Sequence, residues 1–441
     1  MSLLDSGLLG AVLAFALRET SALRPWRRAF LIAVLVQAAL QLLLEGAYWQ
    51  LYSAYAVFLL TAWVPLRPRG LSRTIATVLL AILLLLPWMV VPVPRLTVPP
   101  GPYPIGTDVF RWTHPSDTRK VVVQAWYPAG PMAGGTKQPF LDGLGRLPES
   151  VGFLPRFLFR QYHQIDTFAL RSSPVSPAQT HWPVVIFLPG FGAPRAFYTS
   201  LVTHVASHGW VVLAVDHPYE SPVSELADGS LSVPREIPQN SETDRRAFMA
   251  TRMEDRAADA SFVIDQLSRP GRLGPQLSGR LALNRITVAG HSLGGAAAAV
   301  TMHRDPRVIA GANIDGTMHG DISHHPLHHP FLVIESDRQV TGHSVQYVES
   351  TQRLLAKLTS CGYRHEISQT NHYAFTDLPL LFSGPGQWLV SQLLGGSRNA
   401  RETHRITGDL LVDFLSKNER ACCPPQKEGQ QARIGCGSVT D

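Results

Sequence analysis

The sequence predicts an α/β fold, a mostly parallel sheet flanked by helices, preceded by an N-terminal transmembrane helical region. Three observations predict it. Short β-branched apolar runs alternate with helical patterns from about residue 120 to 417, which is the signature of parallel strands joined by crossover helices. A glycine-flanked serine, Gly290-His291-Ser292-Leu293-Gly294-Gly295, lies between one such run and an alanine-rich helical segment. Four apolar stretches precede residue 95.

Those stretches are 3–17, 29–44, 48–66 and 74–93. The last has an uncharged core close to the roughly 20 residues that span a bilayer. Gln37 and Gln41 interrupt the second, and a buried helical bundle is the competing reading for the first two. The first 73 residues carry seven arginines against Asp5, Glu19 and Glu45, a balance of +4, and the arginines fall in the links 18–28 and 67–73. Basic short loops stay cytoplasmic, so four spans put everything after residue 93 on the extracytoplasmic side. The expectation is an integral membrane protein with the bilayer as a partner of residues 1–95. The whole chain is +6, which leaves only +2 for the remainder and excludes the electrostatic footprint of a nucleic-acid binder. The proline-rich segment that follows breaks any helix. The expected division is an anchor at 1–95, a linker at 96–105, a catalytic domain at 106–420 and a flexible tail at 421–441.

Within the catalytic domain, 120–126 reads as an early strand, and 148–168 as an amphipathic segment that forms a packed helix or a lid. The run 184–188 ends in Pro189-Gly190-Phe191-Gly192-Ala193, and 210–215 ends at Asp216-His217-Pro218. Between them Phe197, Leu201 and Val205 repeat every four residues, as one helix face does. A long helical pattern covers 246–267, and the serine's own strand is 286–289. Further strands are expected at 308–314, 331–334 and 364–367, and a last helix at 403–417.

Chemistry follows from placement. A serine at a sharp strand-to-helix turn projects its hydroxyl clear of the sheet, and the helix N-terminus favours developing negative charge. A serine needs a base within hydrogen-bond reach, and the base needs a third group that holds its tautomer. In the α/β-hydrolase order of serine, acid, histidine, His372 follows the last expected strand. Two carboxylates compete for the third place: Asp315, 23 residues after Ser292, and Asp337, one strand later. Spacing leaves both open. Backbone N–H groups of Phe191 and Leu293 are the candidates for the oxyanion hole. His319, His324, His325, His328 and His329 crowd one loop, but Pro326 and Pro330 break the helix that could present them together, so neither metal nor cofactor is expected. Cys361 stands alone, and a bridge from Cys422 or Cys423 to Cys436 is the disulfide considered for the tail.

Taken together, Ile186-Phe187-Leu188-Pro189-Gly190-Phe191-Gly192-Ala193, the Ser292 motif, Asn313-Ile314-Asp315-Gly316 and His372-x-x-Phe375-x-Asp377 resemble the platelet-activating factor acetylhydrolase family over about residues 103–380. The resemblance implies Asp315 as the acid, with Phe191 and Leu293 in the oxyanion roles. It implies a cofactor-free serine hydrolase that cleaves carboxylic esters, short-acyl lipid esters first, as a 1-alkyl-2-acetylglycerophosphocholine esterase does. Two departures stand out: Pro189 where a histidine is common, and Leu293 for a frequent phenylalanine. The alternatives are a cutinase-like or dienelactone-hydrolase-like esterase on non-phospholipid esters, and a non-catalytic hydrolase-fold membrane receptor or scaffold.

Overall fold

The computed structural model describes residues 3–16, 24–46, 48–63, 71–90, 92–114, 119–131, 135–151, 154–234, 241–382, 384–420 and 435–436. The chain divides into two compact units, one of residues 1–95, 148–165 and 380–390, the other of 96–147, 166–379 and 391–441.

The first unit is a small helical assembly. Its helices are α1 (Leu3–Ala16), α2 (Arg27–Leu44), α3 (Tyr52–Trp63) and α4 (Leu71–Val90). Leu8, Val12, Phe15, Val34, Leu51 and Leu84 form its core. Polar side chains tie the helices together: Gln37 donates to the Leu4 carbonyl at 2.8 Å, and Tyr55 donates to Gln41 at 2.6 Å. The expected four-span anchor is not found, because among the described residues no helix is long and apolar enough to cross a membrane. At about 1.5 Å per residue, the 14 residues of α1 and the 12 of α3 fall well short of the roughly 30 Å hydrocarbon layer. The run 48–66 fails as a span because it opens with extended Tyr48 and a 3₁₀ turn at Trp49–Leu51 before α3 starts. The bilayer partner and the extracytoplasmic placement lose their basis with it. The segment 148–168 is not a regular α-helix: a 3₁₀ helix at Arg156–Gln164 brings Gln164 to the Tyr48 hydroxyl and Phe157 within 6.3 Å of Tyr52.

The second unit is built on one sheet. Its strands are β1 (Ile105–Thr113), β2 (Lys120–Pro128), β3 (Ala169–Arg171), β4 (Trp182–Leu188), β5 (Val211–Asp216), β6 (Leu281–His291), β7 (Val308–Ile314), β8 (Phe331–Ser336), β9 (Gly362–Ile367) and β10 (Gly435–Cys436). Their spatial order is β10-β9-β8-β7-β6-β4-β5-β2-β1-β3. Pairing is parallel throughout except that β2 runs antiparallel to both β1 and β5. Every strand expected from the apolar runs is present; the sequence reading passed over β1, β3 and β10. The short β10 corrects the picture of a wholly flexible tail, since Gly435 and Cys436 pair with Tyr363 and Arg364. Edge pairing of this kind uses backbone groups, which composition does not report. Cys361 is likewise not alone but disulfide-bonded, while Cys422 and Cys423 lie outside the described residues.

Alternation along β4 explains how the sheet is covered. Val184, Ile186 and Leu188 face one core, which α6 (Glu242–Leu267) and α7 (Leu293–Arg304) complete through Met253, Phe262 and Val263 and the run Ala296 to Val300. Val185 and Phe187 face the other, completed by α5 (Thr199–Ser207) and α9 (Ala400–Arg420) through Leu201, Val205, Leu411 and Phe414. Successive strand side chains point to opposite faces, so a sheet covered on both sides requires the unbroken apolar runs seen in the sequence. The parallel strands deliver their C-terminal ends, and the loops beyond them, to one edge.

Candidate active site

At that edge β6 turns into α7 at Ser292, whose backbone angles are φ 55° and ψ −127°. A non-glycine residue there is strained, and the surroundings hold it in place. Ser292 N–H donates to the Ile314 carbonyl at 2.8 Å. A Cβ on Gly290 or Gly294 would run into backbone atoms, of Gly294 for the first and Leu188 for the second. Glycine is required here for close approach of strand, turn and helix.

The Ser292 hydroxyl lies 3.0 Å from His372 Nε2, and His372 Nδ1 lies 2.8 Å from Asp315 Oδ2. His372 opens a one-turn 3₁₀ helix after β9, which Asn371 caps by accepting from Tyr373 and Ala374 N–H. Asp315 follows β7 directly and has φ 53°, a left-handed conformation that aspartate tolerates. It is buried, yet its carboxylate accepts from Ser336 N–H at 2.8 Å, Ser336 Oγ at 2.9 Å and His343 Nε2 at 3.1 Å, besides His372. Burial alone would raise its pKa, but the hydrogen bonds from His343 and His372 outweigh it and hold Asp315 well below the usual carboxylate range.

Asp337 has other work. Its Oδ1 accepts from Gln339 N–H at 2.8 Å, capping the short helix Arg338–Thr341, and its Oδ2 accepts from Gln369 N–H at 2.7 Å. It links two loops through their backbones, and His372 makes its carboxylate contact with Asp315 instead. Phe191 and Leu293 line a cavity of about 550 Å³ together with Ser292, Asp315 and His372. Leu293 opens α7, where first-turn N–H groups have no partner within the helix.

The rest of the cavity wall is mixed. Phe191, Met249 and Val345 are apolar, while Arg245 and Arg246 lie on its exposed side, both paired with Glu242. His319 faces the same cavity. The other crowded histidines disperse: His324 meets Arg353, His325 meets Asp321 and His328 meets Thr359. Among the described residues no three histidine, cysteine or acidic side chains converge as metal ligands do.

The sequence reading missed four participants. His343 touches Asp315 from the loop between the Arg338–Thr341 turn and α8 (Val345–Ala356), with its ring stacked 4.1 Å over Tyr347. Burial would lower its pKa, but the bond to and charge of Asp315 prevail and raise it. Ser336, Tyr198 and Arg256 also reach the site. None carries a motif, because each is placed by the packing of its own strand, helix or loop and not by proximity in sequence to Ser292.

Residues 95–240 and 273–426 match the family described as platelet-activating factor acetylhydrolase, isoform II. A probable 1-alkyl-2-acetylglycerophosphocholine esterase of Arthroderma benhamiae is 29% identical over 139 residues, 32% of this chain and 32% of that protein. Platelet-activating factor acetylhydrolase of Cavia porcellus is 26% identical over 283 residues, 56% of this chain and 62% of that one. The match thus spans less than two thirds of either relative. A solved structure of a ferulic acid esterase from Streptomyces cinnamoneus superposes with TM-score 0.61 at 27% identity, covering 75% of this chain and 95% of its own. The family match covers well over half the chain and includes every residue of the Ser292, His372 and Asp315 cluster, so the chain belongs to the platelet-activating factor acetylhydrolase, isoform II, family.

Proposed function

We propose that the chain is a serine hydrolase of carboxylic esters that works through an acyl-enzyme, with Ser292 as nucleophile, His372 as base and Asp315 as the group that orients it. The observation that carries the reading is the unbroken contact from Ser292 Oγ through both nitrogens of His372 to a buried, ionised Asp315. Ser292 Oγ bonds to the ester carbonyl carbon as its proton passes to His372 Nε2. The oxyanion is received by the N–H groups of Phe191 and Leu293. Collapse breaks the bond to the alcohol, which leaves with the proton from His372. Water then repeats the sequence and releases the acid, and every bond change is supplied by the chain, the ester and water.

The favoured substrates are short-acyl lipid esters. The family relatives are named for them, and the arginine pair on the cavity's exposed side suits a phosphate-bearing alcohol. A second reading, an ester outside the phospholipids, is favoured by the ferulic acid esterase, which matches over nearly its whole length. The intact serine, histidine and acid favour both over a non-catalytic scaffold. Labelling with a fluorophosphonate tests the shared chemistry: wild type should label and Ser292→Ala should not, and equal labelling of the two refutes it. Hydrolysis of a short-acyl phosphatidylcholine against methyl ferulate then separates the two substrate classes.

A further inference from the structure

A chain of hydrogen bonds, buried from Gly190 to His291 and partly buried at its last link, joins the three loops that meet at Ser292. Gly190 N–H, in the loop after β4, lies 2.9 Å from the Tyr198 hydroxyl. That hydroxyl lies 2.8 Å from His291 Nδ1, and His291 Nε2 lies 3.0 Å from the His372 carbonyl oxygen. The proton on each link follows from which groups can only donate and which can only accept. An amide N–H only donates, so Tyr198 accepts from Gly190. A carbonyl only accepts, so His291 Nε2 carries a proton. His291 is buried, which with the neighbouring His372 pushes its pKa down to about 3, so its ring holds a single proton and Nδ1 is bare. Tyr198 must therefore donate to it. Each link has one donor and one acceptor, and the chain runs in one direction from the Gly190 amide to the loop that bears His372.

The grip on the oxyanion loop is two-sided. The peptide unit between Pro189 and Gly190 has its N–H held by Tyr198 and its carbonyl held by Arg256 Nη1 at 2.5 Å. Arg256 is itself buried and paired with Glu220. The next carbonyl, of Gly190, accepts from Ala193 N–H at 3.2 Å, and the N–H of that same peptide is the one on Phe191. A Cβ on Gly190 would sit 3.0 Å from the Tyr198 hydroxyl, 3.2 Å from His291 Nδ1 and 3.3 Å from Ser292 Cβ, so the peptide rests directly on the relay.

We infer that Tyr198 and His291 are positioning residues whose directed relay sets the orientation of the Phe191 amide and the seat of the His372 loop relative to Ser292. The inference rests on the ester-hydrolase reading above. Removing the tyrosine hydroxyl leaves the buried Gly190 amide without its acceptor and His291 Nδ1 without its donor. The histidine is then free to adopt the tautomer that turns a lone pair toward the His372 carbonyl, and both loops lose a fixed partner.

The test compares Tyr198→Phe, His291→Gln, His291→Leu and the double variant Tyr198→Phe/His291→Leu on p-nitrophenyl acetate, with thermal melting to establish folding. Tyr198→Phe should lower kcat about 10- to 100-fold, less than outright loss of an oxyanion donor, with KM changed by less than about threefold, the pattern of a lost transition-state interaction. His291→Gln should retain most of the activity, because its amide oxygen can accept from Tyr198 while its NH₂ donates to the His372 carbonyl. His291→Leu should fall as far as Tyr198→Phe, and the double variant no further. A packing role predicts instead that the isosteric Tyr198→Phe is harmless and that Gln and Leu are equally damaging, and either result overturns the relay. Should Tyr198→Phe fail to fold, the His291→Gln and His291→Leu pair decides by the same criterion. Wild type that neither labels with fluorophosphonate nor hydrolyses the ester defeats the hydrolase reading itself, whereas active wild type with an unimpaired Tyr198→Phe defeats only the relay.

Discussion

Replacing Asp315 with asparagine separates the two carboxylates that spacing left open. Asp315 Oδ1 faces Ser336 N–H, Ser336 Oγ and His343 Nε2, and Oδ2 faces His372 Nδ1. An asparagine has one acceptor atom for these two sides. The Ser336 amide is an obligate donor held by β8, so the amide oxygen turns toward it and the NH₂ toward His372. Nδ1 must then give up its proton to accept, and Nε2 becomes protonated and cannot take the proton from Ser292. The expected loss in kcat is about 10⁴-fold, the scale of wrong-tautomer variants of serine triads, or about 5.5 kcal/mol at 1.36 kcal/mol per decade. The assay is kcat/KM on p-nitrophenyl acetate together with the rate of fluorophosphonate labelling. Asp337→Asn is the control: it keeps one acceptor for two backbone donors, so it should cost about 1–3 kcal/mol of stability, seen as a lower melting temperature, with kcat within about threefold of wild type. A crippled Asp337→Asn beside an Asp315→Asn that keeps more than a tenth of the activity refutes the reasoning.

Two further predictions concern the histidines around this centre. His343→Ala removes one of the donors to the Asp315 carboxylate, a charge-assisted bond whose loss is expected to reduce kcat about tenfold; in an Asp315→Asn background it should cost little more, since the two act through one group, and additive losses would place His343 outside the pathway. Folding stability should carry an acid slope from His291. The unfolded ring titrates near 6.5, the ordinary value for histidine, and the folded one near 3, so between these values the unfolded chain binds the extra proton. The contribution is therefore full above about pH 6.5 and is lost as pH falls toward 3, at up to about 1.4 kcal/mol per unit. Urea unfolding of wild type and His291→Gln across that range should show the slope in the first and its reduction in the second, and parallel profiles would count against a neutral, buried His291.

Much of the second unit was legible because its signals are local. An apolar run doubly buried between helices announces a parallel strand, as 184–188, 308–314 and 331–334 did. Glycines packed against backbone announce the turn at Ser292, since no other residue fits. The N-terminal unit was misread for a related reason: apolar content is shared by buried and membrane helices, and the extended Tyr48 with its 3₁₀ turn, which delays the helix of the third apolar run to Tyr52, leaves no mark in hydropathy. The amphipathic segment 148–168 suffered the same way, because a 3₁₀ helix and an α-helix draw on similar residues.

The sequence by itself determined the apolar strands β2 and β4 to β9 in their succession along the chain, the turn at Ser292, the histidine after β9 and the glycine-lined loop after β4. The strands, the turn and the glycine-lined loop follow from sterics or hydrophobic period within a few residues, whereas His372 was placed by the serine, acid, histidine order of α/β-hydrolases. Only the tertiary structure separated Asp315 from Asp337, because both follow a strand and the difference lies in which one His372 can touch. It alone supplied His343, Tyr198, Ser336 and Arg256, whose partners are 28, 93, 21 and 67 positions away. Hydrogen bonds over such separations are set by the packing of whole elements against the sheet, and no local pattern of residues encodes them.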